Sequence, residues 1–123
     1  MSSTDLKQVV SKGTGRTIDP EIFKLNAGLC QALANEKRFE LIYHLSDGAR
    51  SATELRGRTG LSKSSLSQHM SILVERGIAR SKSVGKFVEY ELASAGVVEV
   101  FRAIQKLCRE NLEQKRKLAR QIQ

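Results

Sequence analysis

Apolar residues recur at helical spacing between residues 20 and 77, and short polar stretches interrupt the pattern. The interruptions contain residues that commonly cap helix starts, namely Asp19 before Pro20, Asn35, Ser51 and Ser62. Glycines that favour helix ends follow the last three segments, at Gly48, Gly60 and Gly77. The pattern therefore predicts four successive helices in this part of the chain.

The pattern changes after Gly77, where two short segments become rich in residues that favour β-strands. These segments are residues 78–84 and 87–92, and Gly85-Lys86 joins them, which predicts a hairpin. From Val97 to the end the chain has no Gly or Pro, and apolar residues return at helical spacing. One long terminal helix is therefore predicted.

The resulting fold class is mainly α with a small β-hairpin, in the order α-α-α-α-β-β-α. Residues 1–19 have little apolar content and are predicted to form a flexible N-terminal arm, while residues 20–123 form one domain. No apolar run approaches the roughly 20 residues that span a bilayer, so no membrane contact is expected. Two distant cysteines without a Cys-x-x-Cys motif fit a reducing compartment, and a cytoplasmic location is expected.

The helix that follows Ser62 has two contrasting faces. Its apolar face carries Leu66, Met70, Leu73 and Val74, which is the stripe of a helix packed on a core. Its other face is rich in serine and also carries Gln68, whereas a soluble helix usually exposes Glu, Lys and Arg there. Ser and Gln donate and accept hydrogen bonds at base edges without bulk.

The turn before this helix indicates what its serine-rich face contacts. Only Thr59-Gly60-Leu61 separates it from the preceding helix, which is the spacing of a helix-turn-helix whose second helix enters the DNA major groove. The net charge of +8 agrees with a polyanionic partner, because residues 50–86 carry eight basic and only two acidic side chains. Lys82 and Lys86 of the hairpin are placed to contact flanking phosphates.

Three segments of the chain resemble the winged-helix repressors of the ArsR/SmtB type. They are Leu33-Ala34-Asn35-Glu36-Lys37-Arg38, Leu61-Ser62-Lys63-Ser64-Ser65-Leu66-Ser67-Gln68-His69 and Gly77-Ile78, and the resemblance extends over roughly residues 25–108. It implies a winged helix-turn-helix homodimer, paired through its first and last helices, that binds an inverted-repeat operator in double-stranded DNA. It also implies a repressor that leaves the operator when a small inducer binds.

The predicted DNA-binding residues follow from the serine-rich face, the charge and the resemblance together. His69 is included because the family commonly has His at this position, where the resemblance implies a structural or phosphate-contacting role. The full set is Ser62, Lys63, Ser64, Ser65, Ser67, Gln68, His69, Lys82 and Lys86.

The first helix supports a dimer independently, because it carries two apolar stripes on neighbouring faces. One stripe is Ile22, Leu25, Leu29 and Leu33, and the other is Phe23, Ala27, Cys30 and Ala34. The first is enough to dock the helix on its own domain, and the second then needs a further partner. Packing of both stripes within one chain is the alternative.

The positions that the family uses to bind metal ions narrow the range of possible inducers. Ser51-Ala52-Thr53-Glu54-Leu55 has no thiol where metalloid sensors carry Cys-x-Cys, and no histidine follows His69, so the familiar metal sites are absent. The closest resemblance is to the branch of the family that senses thiol oxidation or persulfides. Members of that branch pair one cysteine on the second helix with another near the end of the last helix. Cys108 lies near the late position, but Tyr43 occupies the other.

Cys30 and Cys108 are therefore the candidate sensor thiols, with Cys30 as the substitute partner. Three interpretations remain open: response to an oxidant or reactive sulfur species, a thiolate site for a metalloid shared across a dimer, and packing without chemistry. A DNA- or RNA-binding winged helix that senses nothing is the competing class. Motifs of phosphate-binding loops, zinc proteases and serine hydrolases are absent, so neither an enzyme nor a cofactor is expected.

Overall fold

The computed structural model describes residues 19–122, which form five helices and three strands. The helices are α1 (Pro20–Leu33), α2 (Glu36–Leu45), α3 (Ala52–Thr59), α4 (Lys63–Glu75) and α5 (Ala95–Ile122). The strands are β1 (Arg50–Ser51), β2 (Ala79–Val84) and β3 (Phe87–Leu92). The predicted N-terminal arm lies outside the described residues apart from Asp19.

Side chains cap the helix starts at the predicted residues. Asn35 Oδ1 accepts a hydrogen bond of 3.0 Å from the backbone N–H of Arg38, and Ser51 and Ser62 cap α3 and α4 in the same way. Each cap satisfies one of the backbone donors that a helix start leaves without an internal partner. Gly60 ends α3 with a φ of 74°, a left-handed conformation that favours glycine.

The small sheet has three strands rather than the predicted two. β3 lies in the middle and pairs antiparallel with both neighbours, in the order β1-β3-β2. The sequence prediction of a two-stranded hairpin was incomplete because β1 is two residues long, too short for an alternating pattern to appear. The hairpin itself is confirmed, with Ala79 opposite Leu92 and Val84 opposite Phe87.

One hydrophobic core joins α2, α3, α4, the sheet and the start of α5. Its fully buried members include Leu41, Ile42, Leu45, Leu55, Leu66, Met70, Leu73 and Ile78. Phe101 of α5 is also buried, and its ring centre lies 6.4 Å from that of Phe39. The predicted apolar stripe of α4 is confirmed except at Val74, which is exposed at the edge of the helix.

Helix α5 extends far beyond this core. It has 28 residues, about 42 Å of helix, and every residue from Lys106 to Ile122 is exposed. Residues 32–122 form one compact unit, and residues 19–31 belong to a separate one. Within the latter, Ile22, Phe23 and Leu25 are exposed. In the part of the chain that the structure describes, no helix has the length and apolar character needed to cross a membrane.

Candidate nucleic-acid interface

A stripe of short polar side chains runs along the exposed face of α4. Ser64, Ser67, Gln68 and Ser71 are all exposed and follow the spacing i, i+3, i+4, i+7, so they line up on one side of the helix. We call these four residues the serine stripe. The opposite side of the helix is buried in the core, which fixes the direction in which the stripe points.

Two of the predicted DNA-binding serines shape the start of α4 instead of extending the stripe. Ser62 Oγ accepts the backbone N–H of Ser65 at 3.1 Å and lies 3.3 Å from Ser64 Oγ. Ser65 is half-buried at the flank of the helix. Ser62 thus holds the end of α4 that lies nearest the turn, where a recognition helix meets base edges.

A groove next to the serine stripe brings three of the predicted residues together. It has a volume of about 360 Å³ and lies between α3, α4 and the hairpin. Its lining residues are Ala52, Thr53, Arg56, Lys63, Leu66, Ser67, Lys86, Phe87, Val88 and Tyr90. We call it the cationic groove, because Arg56, Lys63 and Lys86 contribute three positive charges and none of these lining residues is acidic.

The ion pairs around α3 leave this charge uncompensated. Glu54, the acidic residue nearest in sequence, accepts hydrogen bonds from Arg50 at 2.8 Å and from Arg58 at 3.4 Å. Within residues 19–122, Arg56 has no carboxylate oxygen within 4.0 Å. A positive groove of this kind concentrates anions, and phosphate groups fit its three cations.

The two hairpin lysines have different surroundings. Lys86 lies in the tight turn and lines the cationic groove. Lys82 lies directly opposite Glu89 in the sheet register, and its neighbour Arg80 forms an ion pair of 3.5 Å with Glu91. Lys82 therefore has one acidic residue opposite it in the sheet, whereas Lys86 lines the cationic groove, so the structure brings Lys86, and not Lys82, together with the residues of α4.

His69 faces α2 rather than lying in the serine stripe. Its Nδ1 is 3.3 Å from a terminal nitrogen of Arg38, and because a guanidinium can only donate, Nδ1 accepts and the imidazole carries its proton on Nε2. Burial lowers the pKa of His69, and the positive charge of Arg38 lowers it further. Arg38 also donates from Nε to the backbone carbonyl of Ala32. The resemblance implies either a structural or a phosphate-contacting role for His69, and the contact with Arg38 gives the structural role a partner.

The candidate sensor thiols are both free and exposed in the single chain. Cys108 lies on the protruding part of α5, in residues 106–122, and Cys30 lies in the unit of residues 19–31. Neither thiol packs as a buried side chain within the chain itself. Among residues 19–122, no group of three or more His, Cys, Asp or Glu side chains is arranged to hold a metal ion.

Arg56 and Ser71 are candidate interface residues that were not included in the predicted set. Ser71 continues the serine stripe by one helical turn, and the sequence pattern already places it on the serine-rich face of the helix. Arg56 is recognisable only in the folded chain, because its place in the groove depends on how α3 packs beside the hairpin.

Comparison with known proteins agrees with this geometry. Residues 35–81 match the family model described as bacterial regulatory protein, arsR family. The transcriptional activator HlyU of Vibrio cholerae serotype O1 is 34% identical over 84 residues, which cover 68% of this chain and 78% of HlyU. The matched family segment contains α2, α3, the turn and α4 in full, so it includes the whole serine stripe.

Two solved structures have the same fold. The structure of reduced HlyU from Vibrio cholerae N16961 is 31% identical, has a TM-score of 0.65, and covers 71% of this chain and 92% of its own. The homodimeric winged helix-turn-helix DNA-binding domain of a possible ArsR-family transcriptional regulator from Mycobacterium bovis is 24% identical, with a TM-score of 0.73 and coverage of 82% and 94%. The fold agrees with these matches, because a helix-turn-helix is followed by the β2–β3 hairpin. The chain is a DNA-binding transcription regulator that belongs to the arsR family of bacterial regulatory proteins.

Proposed function

We propose that this protein is a homodimeric, sequence-specific repressor that binds an inverted-repeat operator and is released by modification of its thiols. The observation that carries the proposal is the serine stripe, an exposed row of small hydrogen-bonding side chains on a helix whose other face is anchored in the core. A surface of this kind can approach base edges closely, and the adjacent cationic groove can hold the phosphate backbone.

The dimer is supported by apolar surface that the single chain leaves uncovered. Leu107, Leu112, Leu118 and Ile122 are exposed on the protruding part of α5. A protruding helix with exposed leucines is marginal in water by itself and gains stability when a second helix covers them. The solved Mycobacterium bovis relative is described as homodimeric. A two-fold dimer would present two serine stripes to successive major-groove faces of an inverted repeat.

Repression needs only occupancy of promoter DNA, because a bound dimer excludes RNA polymerase from the same site. The HlyU relative is named an activator. Whether this protein represses or activates transcription is therefore measured separately. In vitro transcription from a promoter that contains the binding site, with and without the protein, decides between the two signs. We expect fewer transcripts with protein present, and more transcripts would contradict repression.

Release by thiol chemistry is supported by the accessibility of both cysteines. An oxidant would take two electrons from the two thiols as their S–S bond forms, and both protons would pass to solvent. A link that involves Cys108 would act on the helix that we propose as the dimer seam. One solved structure of the HlyU relative is described as reduced.

The proposal is tested by fluorescence anisotropy with a duplex of about 30 bp recovered by selection from a random pool, which is long enough for two half-sites one turn apart. Binding is measured with the protein reduced, treated with a persulfide donor, and treated with arsenite. We expect strong binding in the reduced state and loss of binding after persulfide treatment. Loss of DNA binding with arsenite alone would favour a metalloid site. Binding that persists in all three states would indicate a DNA-binding protein without a thiol sensor.

A further inference from the structure

The tip of the hairpin carries an apolar pair whose exposure the charges of the cationic groove do not explain, although one of the two side chains, Phe87, also lines that groove. Val84 and Phe87 lie directly opposite each other on either side of the two-residue turn. Phe87 is 66% exposed, more than any other aromatic side chain among residues 19–122, and Val84 is 50% exposed. An exposed ring of this size is costly in water and suits a partner that covers it.

The turn itself holds the pair in a fixed position. Gly85 has a φ of 62°, while no non-glycine residue among residues 19–122 has a positive φ, which fits a type II′ turn with Gly at its first central position. This turn matches the twist of the two strands and keeps the hairpin closed to its last residue pair. Lys86 and Phe87 are therefore presented together at the end of a rigid ribbon.

The position of the tip relative to α4 identifies the surface that would cover the pair. The cationic groove lies between α4 and the hairpin, so with the serine stripe in the major groove it would hold the sugar-phosphate backbone of one strand. Crossing one backbone from the major groove leads into the minor groove. We propose that Phe87, backed by Val84, enters the minor groove of the bound DNA and wedges between base pairs there. This inference rests on the proposed binding of double-stranded DNA.

As a wedge, Phe87 would contribute to sequence specificity without forming a hydrogen bond to a base. Apolar wedges of this kind partly unstack a base step and kink the duplex. The cost of unstacking is smallest at flexible pyrimidine–purine steps such as TA and CA. The protein would then prefer such a step about 5 bp from the bases that the serine stripe contacts, since that is half a turn of B-DNA.

The test compares four proteins on one duplex recovered by selection from a random pool, with 2-aminopurine placed in the proposed minor-groove segment. The proteins are the wild type, Phe87→Ala, Phe87→Trp and the control Tyr43→Ala, which removes another exposed aromatic ring on α2. We expect the wild type and Tyr43→Ala to raise 2-aminopurine fluorescence and Phe87→Ala to leave it unchanged. A dimer loses two base–aromatic contacts of about tenfold each, so Phe87→Ala should bind about 100-fold more weakly, and Phe87→Trp should restore binding.

Salt dependence separates the wedge from an indirect effect on Lys86. Phe87 is uncharged, so Phe87→Ala should leave the dependence of affinity on salt concentration unchanged. A flatter dependence would mean that the ring only positions Lys86, and fluorescence or affinity equal to wild type would mean that the ring stays outside the groove. Equal losses in Phe87→Ala and Tyr43→Ala would also overturn the proposal. If the wild type recovers no duplex at all, the proposed DNA binding fails first and the wedge fails with it.

Discussion

Gln68→Ala removes the longest hydrogen-bonding side chain of the serine stripe without touching the core. Gln68 is exposed in the middle of α4, and Ala has a higher helix propensity than Gln, so we expect the variant to fold as well as the wild type. A Gln side chain that pairs with adenine contributes about 1–3 kcal/mol of discrimination. A dimer loses two such contacts, about 2–6 kcal/mol, which corresponds to roughly 30-fold to 10⁴-fold weaker binding to the selected duplex.

Fluorescence anisotropy with the selected duplex and with a random duplex measures this difference. We expect the loss on the selected duplex alone, because contacts to phosphates are the same in both. Gln121→Ala is the matched control, since Gln121 is exposed on α5 away from the stripe. Lys86→Ala should instead weaken binding to both duplexes and lower the salt slope by about two for a dimer. Equal losses for Gln68→Ala on both duplexes would refute base reading by the stripe.

Three further predictions concern assembly, sensing and pH. Leu118→Glu puts a carboxylate among the exposed apolar residues of α5, so sedimentation equilibrium should show folded monomers, and a persisting dimer would exclude this seam. Cys108→Ser should stay on DNA after a persulfide treatment that releases the wild type, and equal release would show that Cys108 is not the sensor. Burial and Arg38 lower the pKa of His69 below its ordinary value of 6.5, so the folded state favours the neutral ring. The contribution of His69 to the free energy of unfolding should therefore be fully present above about pH 6.5 and be lost as the pH falls from there through the lowered pKa. The variant His69→Gln should lose that part of the pH dependence, whereas an unchanged profile would show that His69 does not have a lowered pKa in the folded state.

The helices were predictable because the signals that start and stop them are local. Asn35, Ser51 and Ser62 cap helices with their own side chains, and each accepts a backbone N–H three residues further along. The buried stripe of α4 was equally readable from its spacing. Strand β1 was missed because only pairing with β3, about 40 residues later, makes Arg50 and Ser51 a strand.

The candidate site was predictable where it follows one helix and less so where it depends on packing between elements. The serine stripe is a property of α4 alone, so the sequence was enough to predict Ser64, Ser67 and Gln68. Ser71 was left out of the predicted set, and the predicted Ser65 is half-buried at the flank of the stripe. The cationic groove needs α3, α4 and the hairpin to pack side by side, and Arg56 was missed for that reason. The difference between Lys82 and Lys86 depends on strand register, which places Glu89 opposite Lys82.

Selection of random double-stranded DNA by the reduced wild-type protein, followed by sequencing of the recovered duplexes, tests dimeric, base-reading binding most directly. A two-fold dimer that reads bases with two serine stripes should enrich an inverted repeat with half-site centres about 10–11 bp, or a multiple of one turn, apart. Recovery of a single half-site, or of duplexes with no shared sequence despite strong binding, would contradict the dimeric and sequence-reading regulator described above.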